Sequence, residues 1–279
     1  MTGAAHAEPF ARALRALRTY LDELVIAGAW AHRLFRFHEF ARPPGYQPLM
    51  TVDADMATPA NLRPRRQPIP RLLEISGFRE KFKGQDARAT TFYQLGDEDG
   101  AFYIEFIAPL TGSAIKRDRP DDIARVAGAI VPKLRWVDLL LEKTWTLQLE
   151  ESLGFPVPAN EQLIVQIANP LTYLIQKVLT LPRRATQQKR EKDALYVYDT
   201  ILIFSDGIES LRRQSPEVLA LLPAKTIQEF ERLCAKLFEP GGIVEGAAAI
   251  ARSTGRGEPP ASNLISLTCK EGLQRLFFA

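Results

Sequence analysis

The stretch Leu24-Val25-Ile26-Ala27-Gly28-Ala29-Trp30-Ala31 joins a short apolar run to a glycine and then to a helical pattern. Such a run is typical of a buried strand, and the glycine after it favours a turn. From Ala29 to Phe37 apolar residues recur at helical spacing, which predicts a helix directly after the turn. A strand, a tight turn and a helix therefore follow each other within a few residues.

A second strand is predicted from Leu49 to Met56, and it contains Asp53 and Asp55. Alternate residues of a strand point to the same face, so both carboxylates are expected to converge. Two carboxylates held side by side repel each other unless a cation or a shared proton neutralises them. Mg²⁺ prefers hard oxygen ligands of this kind and completes its shell with water and substrate phosphates. The aspartate pair is therefore a candidate metal site.

A third acid, Glu105, lies in an apolar stretch further along the chain. The runs Thr90–Leu95 and Ala101–Ile107 are rich in aromatic and β-branched residues, and the turn-forming segment 96–100 separates them, so an antiparallel hairpin is predicted. A carboxylate in so apolar a strand favours a partner or a metal. If its strand lies beside the Asp53 strand, three carboxylates could hold two metal ions about 3.5–4 Å apart. The alternative is a solvated strand face with ordinary surface acids.

Composition restricts the class of protein. The chain has 279 residues, 46% of them hydrophobic and 25% charged, and a net charge of +3, which is ordinary for a globular protein of one large or two modest domains. The charge is too small for non-specific coating of nucleic acid. Cys234 and Cys269 lack metal-ligand spacing and are expected to be buried thiols. No signal peptide or membrane-spanning stretch is recognisable, so a cytoplasmic protein is expected.

The character of the chain changes at Asn169-Pro170, where an N-cap and a first-turn proline are expected. We predict an α+β protein: a domain of residues 1–168 with a mixed sheet flanked by helices, then a helical domain of residues 169–279, with a ligand cleft between them. In the first domain, helices are expected at Phe10–Leu24, Arg71–Ile75 and Leu134–Lys143, and strands at Trp145–Leu149 and Leu163–Ile167. In the second, helices are expected at Leu171–Leu181, Gln187–Phe204, Pro216–Leu222, Lys225–Phe238, Ile243–Arg252 and a last segment to Phe278.

The ordered motifs resemble those of the DNA polymerase beta-like nucleotidyltransferase superfamily. That set consists of a strand, a G-[GS] turn and a helix, then an apolar D-x-D strand, then a third acid on a later strand. Segments 24–31, 51–56 and Ile104-Glu105-Phe106 match it in order and spacing. The resemblance implies a nucleotidyltransferase fold in which Asp53, Asp55 and Glu105 are catalytic metal ligands for Mg²⁺ or Mn²⁺, with a nucleoside triphosphate as substrate.

Within that superfamily the chain is most similar to bacterial proteins that include abortive-infection toxins. Their helical domain carries an apolar helix with a lysine and then a basic helix ending in Lys/Arg-Asp, which segments 169–177 and 189–193 match. Residues 134–142 also look similar, so the resemblance covers roughly residues 20 to 205. It implies that Gly28, Ala29, Lys177, Lys192 and Asp193 bind the nucleotide. It also implies a possible toxin-like role, with RNA, a protein or a small molecule as the acceptor.

The main departure from the family pattern is Ala29, which stands where Gly or Ser is usual. Backbone N–H groups at a helix N-terminus can still bind phosphate, but the side chain crowds the site and lacks a hydroxyl. This leaves open a module that binds a nucleotide without turning it over. A metal-dependent glycosyltransferase is a further alternative, because D-x-D also binds nucleotide-sugar diphosphates, although such enzymes usually place it after a longer nucleotide-binding region.

Other residues carry weaker signals. Lys177 on an apolar helix would ordinarily extend to solvent, and Lys189 and Asp193 have the i,i+4 spacing of a surface pair. His32 and His38 lack ligand spacing and are expected to be ordinary core or surface residues. Two basic runs could contact phosphates or form solvated faces; they are Arg63, Arg65, Arg66 and Arg71, and Arg183, Arg184, Lys189, Arg190 and Lys192. Motifs of serine hydrolases, zinc peptidases and P-loop hydrolases are absent from the sequence.

Overall fold

The computed structural model describes residues 6–49, 51–84, 89–116, 119–158, 160–254 and 258–279. The chain forms two compact units. The first comprises residues 1–31 and 50–169, and the second comprises residues 32–49 and 170–279. The change of character at Asn169-Pro170 coincides with one of these boundaries. The sequence patterns did not indicate that residues 32–49 would belong with the later helices.

The first unit is an α+β structure whose described residues form a nine-stranded mixed sheet. The strands are β1 (Val25–Ile26), β2 (Asp53–Ala57), β3 (Phe78–Lys83), β4 (Thr90–Leu95), β5 (Tyr103–Pro109), β6 (Ile115–Lys116), β7 (Arg119–Pro120), β8 (Ile123–Val126), β9 (Ala129–Leu134), β10 (Trp145–Leu149) and β11 (Leu163–Ile167). The central order of the nine-stranded sheet is β10-β11-β1-β2-β5-β4-β3, and β9 pairs with β5 and β8. Strands β6 and β7 form a separate two-stranded sheet. The helices are α1 (Ala7–Ala16), α2 (Gly28–Leu34, which extends into the second unit), α3 (Ile69–Ile75) and α4 (Val137–Leu140).

The strands that carry the motifs are confirmed. Strand β1 is short and buried, and α2 follows it immediately. The hairpin of β4 and β5 is antiparallel, as predicted. Strand β2 begins only at Asp53, not at Leu49. Strands β10 and β11 have the predicted bounds and pair antiparallel across their whole length.

Some strands were missed, and two helices were predicted too long. Strand β3 is a charged strand at the end of the sheet, where charge is tolerated because one edge faces solvent. Strand β9 contains Pro132, which argues against a strand when only the sequence is read. The helix expected at Leu134–Lys143 is only α4, because Leu134 ends β9 and Trp136 takes a left-handed conformation with φ 60°.

The first helix is also shorter than its apolar spacing suggests. Helix α1 ends at Ala16, and a 3₁₀ turn covers Arg18–Tyr20. The buried Tyr20 hydroxyl donates a hydrogen bond to the Gln67 carbonyl at 2.7 Å and accepts one from the Arg65 N–H at 2.6 Å. Phe10 of α1 stacks on Trp30 of α2 with ring centroids 3.8 Å apart. This packing fixes the turn after β1 against the core of the unit.

The second unit is helical in its described part. Its helices are α5 (Pro170–Thr180), α6 (Gln187–Ile203), α7 (Ile208–Leu219), α8 (Ala224–Lys236), α9 (Gly242–Ser253) and α10 (Ser262–Phe277). The predicted start of α7 at Pro216 was wrong, since Pro216 lies inside the helix. Proline removes the backbone hydrogen bond to the Arg212 carbonyl, and the Ser215 hydroxyl donates to that carbonyl instead, at 2.9 Å.

The core of the second unit also holds both cysteines. Cys234 and Cys269 are free and buried, as predicted. Burial raises the pKa of each thiol above its ordinary value. Phe35, from the segment 32–49, packs edge-on against Tyr173 and Phe204, which explains why this early segment belongs to the helical unit.

Candidate active site

The site is built on β2, where Asp53 and Asp55 alternate with buried residues. Ala54, Met56 and Ala57 are completely buried, whereas both aspartates are half-buried. This alternation places the two carboxylates on one face of the sheet. The predicted convergence of this pair therefore agrees with the strand geometry.

The third acid lies directly across from the pair on the neighbouring strand. Strands β2 and β5 are parallel, and their register places Asp55 opposite Glu105 and Asp53 opposite Tyr103. Opposed residues of adjacent strands share a face and their backbones lie about 4.8 Å apart. Glu105 is separated from the pair by some fifty positions in sequence, and hydrogen bonding between β2 and β5 brings it to the same face.

Gly28 lies against this face, at the turn between β1 and α2. Its φ is +57°, a left-handed conformation that glycine adopts without strain. A Cβ atom at this position would lie 2.1 Å from Asp55 Oδ2, well inside van der Waals contact. The N–H of Ala27 also donates to the Asp55 carbonyl at 2.9 Å. The glycine of the motif therefore leaves the space that the Asp55 carboxylate occupies, and Ala29, the departure from the family pattern, is the next residue.

The Glu105 side chain is held by a lysine. Lys83 Nζ, from the end of β3, lies 2.8 Å from Glu105 Oε1. Among the residues that the structure describes, no group of three or more His, Cys, Asp or Glu side chains has the spacing to hold a metal ion. The three acids thus share a face and a register, with two aspartates on one strand and the glutamate bonded to Lys83.

The pKa of the Tyr103 hydroxyl reflects the negative charge on this face of the sheet. Burial raises the pKa of its hydroxyl, and the negative charges of Asp53, Glu105 and Asp55 raise it further. All three carboxylates therefore act on one point of the sheet, and the phenol stays protonated. A face that concentrates negative charge in this way is suited to a divalent cation, because two adjacent carboxylates are otherwise mutually repulsive.

Two of the residues predicted in the second unit, Lys177 and Asp193, form a buried ion cluster with Arg184. Lys177 Nζ lies 2.6 Å from Asp193 Oδ1, and Arg184 Nε lies 2.5 Å from Asp193 Oδ2. Both Lys177 and Asp193 are 5% exposed, so Lys177 does not extend to solvent and Asp193 is not part of a surface pair with Lys189. Burial alone would raise the pKa of Asp193, but the two cations outweigh it and hold that pKa below its ordinary value.

Lys192 and the histidines His32 and His38, which the sequence analysis also considered, belong to this unit as well. Lys192 is half-buried, with its ammonium 5.8 Å from the centre of the Tyr196 ring. His32 is fully buried, and its Nε2 lies 3.8 Å from Asp199 Oδ2. His38 Nδ1 accepts a hydrogen bond from the Phe40 N–H at 3.2 Å. The histidines are packing residues, which agrees with their lack of ligand spacing.

Two of the four arginines of the first basic run form ion pairs within their own unit. Arg65 bonds Asp22 at 2.8 Å and Glu23 at 2.6 Å, and Arg71 bonds Glu74 at 2.7 Å. In the second run, Arg184 is bound to Asp193. Arg65, Arg71 and Arg184 are therefore less available to a phosphate than their positions in the basic runs suggest.

A mixed sheet with a D-x-D strand, a third acid on the parallel neighbour and a glycine turn against the pair is the arrangement that the sequence motifs led us to expect of a nucleotidyltransferase. A nucleotidyltransferase family matches residues 7–214, and the chain belongs to this family. It is therefore a transferase. The match extends through both units as far as α7, whereas the resemblance of the motifs had extended only to about residue 205.

A solved structure with low sequence identity is also similar to this chain. An antigenic nucleotidyltransferase-like protein from Paracoccidioides brasiliensis is similar at 15% identity and a TM-score of 0.37, covering 76% of this chain and 89% of that chain. The comparison with curated proteins finds no match. No helix of the described residues combines the length and the hydrophobicity needed to cross a membrane.

Sequence reasoning missed three residues of these sites. Lys83 was not singled out, because β3 was not predicted as a strand and its pairing with Glu105 depends on the sheet order. Tyr103 lies two residues before Glu105 on the same strand face, and this i,i+2 spacing could have revealed it. Arg184 was assigned to a basic run, and only the fold shows that it binds Asp193.

Proposed function

We propose that this protein transfers a nucleoside monophosphate from a nucleoside triphosphate to an acceptor hydroxyl, with Mg²⁺ or Mn²⁺ as cofactor. The observation that carries the proposal is the parallel register of β2 and β5, which places Asp55 opposite Glu105 on the face that also carries Asp53. Family membership supports the type of reaction. The metal and the acceptor hydroxyl are parts of the proposal.

The donor set fits a hard divalent cation. Asp53 and Asp55 would hold it, since Mg²⁺ in proteins commonly takes one or two carboxylates and fills its remaining positions with water and phosphate oxygens. Glu105, bonded to Lys83 at 2.8 Å, would supply the third carboxylate. The bound metal would neutralise charge on the phosphates and polarise the α-phosphate.

The protein's own residues would orient the reactants. The acceptor oxygen forms a bond to the α-phosphorus, the bond from that phosphorus to pyrophosphate breaks, and the acceptor proton passes to a carboxylate of the site. Glu105 is the best placed for this proton, because it lies on the side of the aspartate pair that faces β4 and β3. Gly28 keeps the backbone clear of Asp55, and the backbone at Gly28 and Ala29 would contact phosphate oxygens.

The second unit supplies its own candidates. We assign Lys177 and Lys192 to contact with the triphosphate, and Asp193 to orienting Lys177, to which it is bonded at 2.6 Å. This assignment follows the family resemblance of segments 169–177 and 189–193. It is tested separately from the carboxylate site, because replacement of Asp193 also disturbs the buried ion cluster.

The test is incubation of the protein with each labelled nucleoside triphosphate and Mg²⁺ or Mn²⁺, together with RNA, protein and small-molecule acceptors. We expect labelled acceptor and released pyrophosphate with at least one combination. The double variant Asp53→Asn, Asp55→Asn should lose both transfer and metal binding. The matched control is Asp138→Asn, Glu142→Gln, which removes two charges elsewhere on the same unit. No transfer by the native protein, with the same metal affinity in the double variant, would overturn the proposal.

A nucleotide-binding module without turnover is the second candidate, and Ala29 is the observation that favours it. The two functions are separated by the same experiment. Thermal stabilisation by a nucleoside triphosphate, combined with no product in any acceptor mixture, would favour binding without chemistry.

A further inference from the structure

A groove of about 420 Å³ lies beside Glu105 on the sheet of the first unit. Its volume is within the range of small-molecule sites, roughly 300–1,000 Å³. Strands β3, β4 and β5 and the turn between β4 and β5 form its walls. The residues that line it are Phe82, Lys83, Phe92, Gln94, Glu98, Asp99, Gly100, Ala101, Tyr103 and Glu105.

The sheet register places the floor of the groove on the face of the candidate active site. Phe92 lies opposite Glu105, and Gln94 lies opposite Tyr103. Glu105 in turn lies opposite Asp55. A molecule in the groove would therefore contact Glu105, one strand away from the aspartate pair.

The walls of the groove are aromatic. The rings of Phe92 and Tyr103 meet edge to face with centroids 5.4 Å apart. Aromatic faces bind flat apolar groups and also cations, through the negative charge of their π-systems.

The charges around the groove select between anionic and cationic molecules. The Lys83 ammonium is bonded to Glu105, and Arg79, on the same strand, is bonded to Asp97. Glu98 and Asp99 are exposed and form no ion pair with a described residue. These two acids, Asp53, Asp55 and Glu105 outnumber the described ammonium groups of Lys83 and of Lys81, which lies opposite Phe92 on β3. The face therefore has an excess of negative charge, which disfavours a polyanion such as nucleic acid.

We propose that this groove binds the acceptor, and that the acceptor is a small hydroxylated molecule that carries protonated amines. The inference rests on the proposed function and names its substrate class. Phe92 and Tyr103 offer faces for an ammonium group, and Glu98 and Asp99 offer charged hydrogen-bond acceptors. Gln94 can bond a hydroxyl of the acceptor. The reacting hydroxyl lies at Glu105, which takes its proton as the new oxygen–phosphorus bond forms and pyrophosphate leaves.

Binding can be measured without chemistry, which separates this inference from the proposed function. The probe is neamine, a two-ring amino sugar, titrated calorimetrically into the full chain in the absence of nucleotide and metal. The neutral comparison is sucrose, which has a similar size, and the anionic comparison is a short single-stranded RNA. We expect neamine to bind and the other two to bind much more weakly.

Variants of residues that line the groove test whether neamine binds there. In Glu98→Gln, Asp99→Asn, neamine affinity should fall about tenfold, because two exposed charged contacts are worth roughly 1.4 kcal/mol together. Phe92→Leu keeps the apolar volume but removes the aromatic face, and a loss of about threefold is expected. The control Asp138→Asn, Glu142→Gln removes the same charge elsewhere on the unit and should leave the affinity unchanged.

The outcomes are distinct. Equal loss in the control variant would show a general charge effect and overturn the groove assignment. Binding of RNA in preference to neamine would overturn the cationic acceptor, and transfer to RNA would then leave the proposed function intact. Neamine binding that depends on Glu98, Asp99 and Phe92, without any transfer, would support the cation site and contradict the proposed function alone.

Discussion

The two units place carboxylates in opposite electrostatic surroundings. In the sheet of the first unit, Asp53 and Asp55 are half-buried neighbours, and a third acid lies opposite Asp55. In the helices of the second unit, Asp193 is 5% exposed and is bonded to Lys177 and Arg184. In the first arrangement Lys83 pairs with Glu105 alone, whereas in the second Asp193 is paired with two cations.

The two groups therefore differ in whether the fold itself supplies the neutralising charges. In a buried ion cluster, removal of one charged partner leaves an uncompensated buried charge, which destabilises the fold. A group of neighbouring carboxylates without enough positive charge costs stability and gains a ligand site. The contrast predicts that the same Asp→Asn change should affect catalysis in one unit and folding in the other.

The largest expected effect is on transfer activity in the first unit. Asp53→Asn combined with Asp55→Asn should lower the rate of nucleotide transfer on the order of a thousandfold, because several kcal/mol of charge stabilisation in the transition state is lost. The free energy of unfolding should change by less than about 1 kcal/mol, because a like-charge contact is removed. Single-turnover rates and urea denaturation measure the two quantities. A large loss of stability without loss of transfer would contradict the expected difference between the two units.

The largest expected effect on stability is in the second unit. Asp193→Asn leaves the Lys177 ammonium buried without its counter-charge, so the unfolding free energy should fall by about 3–5 kcal/mol. Urea denaturation measures this change. Lys189→Gln is the control, because Lys189 is exposed and should change the unfolding free energy by no more than about 0.5 kcal/mol. Similar values for the two variants would show that the buried cluster contributes little.

Acid should weaken the same cluster. Because the pKa of Asp193 is held below its ordinary value in the folded chain, the unfolded chain takes up this proton first as the pH falls. The stabilising contribution of the cluster is therefore fully present above about pH 4, the ordinary pKa of an unfolded aspartate. It is lost as the pH falls through the lower pKa that Asp193 has in the folded chain. Urea midpoints measured from about pH 6 to about pH 2.5 should show this loss in the native protein. The loss should be smaller in Asp193→Asn, and parallel curves would contradict the assignment.

A smaller effect is expected at Gly28. Gly28→Ala introduces a left-handed alanine, which costs roughly 1–2 kcal/mol, and places a methyl group where Asp55 Oδ2 lies. Gly154→Ala is the matched control, because Gly154 has φ +76° and an added methyl group there would meet no atom within 4 Å. Both variants should lose similar backbone stability, but only Gly28→Ala should weaken binding of Mn²⁺. Equal metal affinity in the two variants would show that Asp55 does not need the space beside Gly28.

The smallest effect is expected at Lys83. The Lys83 side chain is 65% exposed. Loss of its ion pair with Glu105 should therefore change the unfolding free energy by no more than about 1 kcal/mol. Lys83→Gln frees Glu105 from a competing cation, and Mn²⁺ affinity should rise about twofold to threefold. Titration of Mn²⁺ into the native protein and the variant measures this. Weaker metal binding in the variant would indicate that Lys83 holds Glu105 in the ligating position.

The strands that matter for the site were largely predictable because their patterns are local. An apolar run before a glycine defined β1, alternation around Asp53 and Asp55 defined most of β2, and the turn at 96–100 defined the hairpin. Strand β3 escaped prediction because its charged residues are tolerated only at a sheet edge, and edge position is a property of the assembled sheet. The helix predicted at Leu134–Lys143 was too long, because β9 continues to Leu134 and the left-handed Trp136 delays the start of α4 until Val137.

The sequence by itself determined the α+β character, the family and the three candidate acids, since each depends on residue order and on periods of two or 3.6 residues. Only the tertiary structure decided that Glu105 lies opposite Asp55 and bonds Lys83, and that Lys177 and Arg184 enclose Asp193. The reason is physical: strand order and the packing of distant helices depend on which surfaces exclude water together. Local pattern fixes a side chain's direction along its own element, but its partners come from elements far away in the chain.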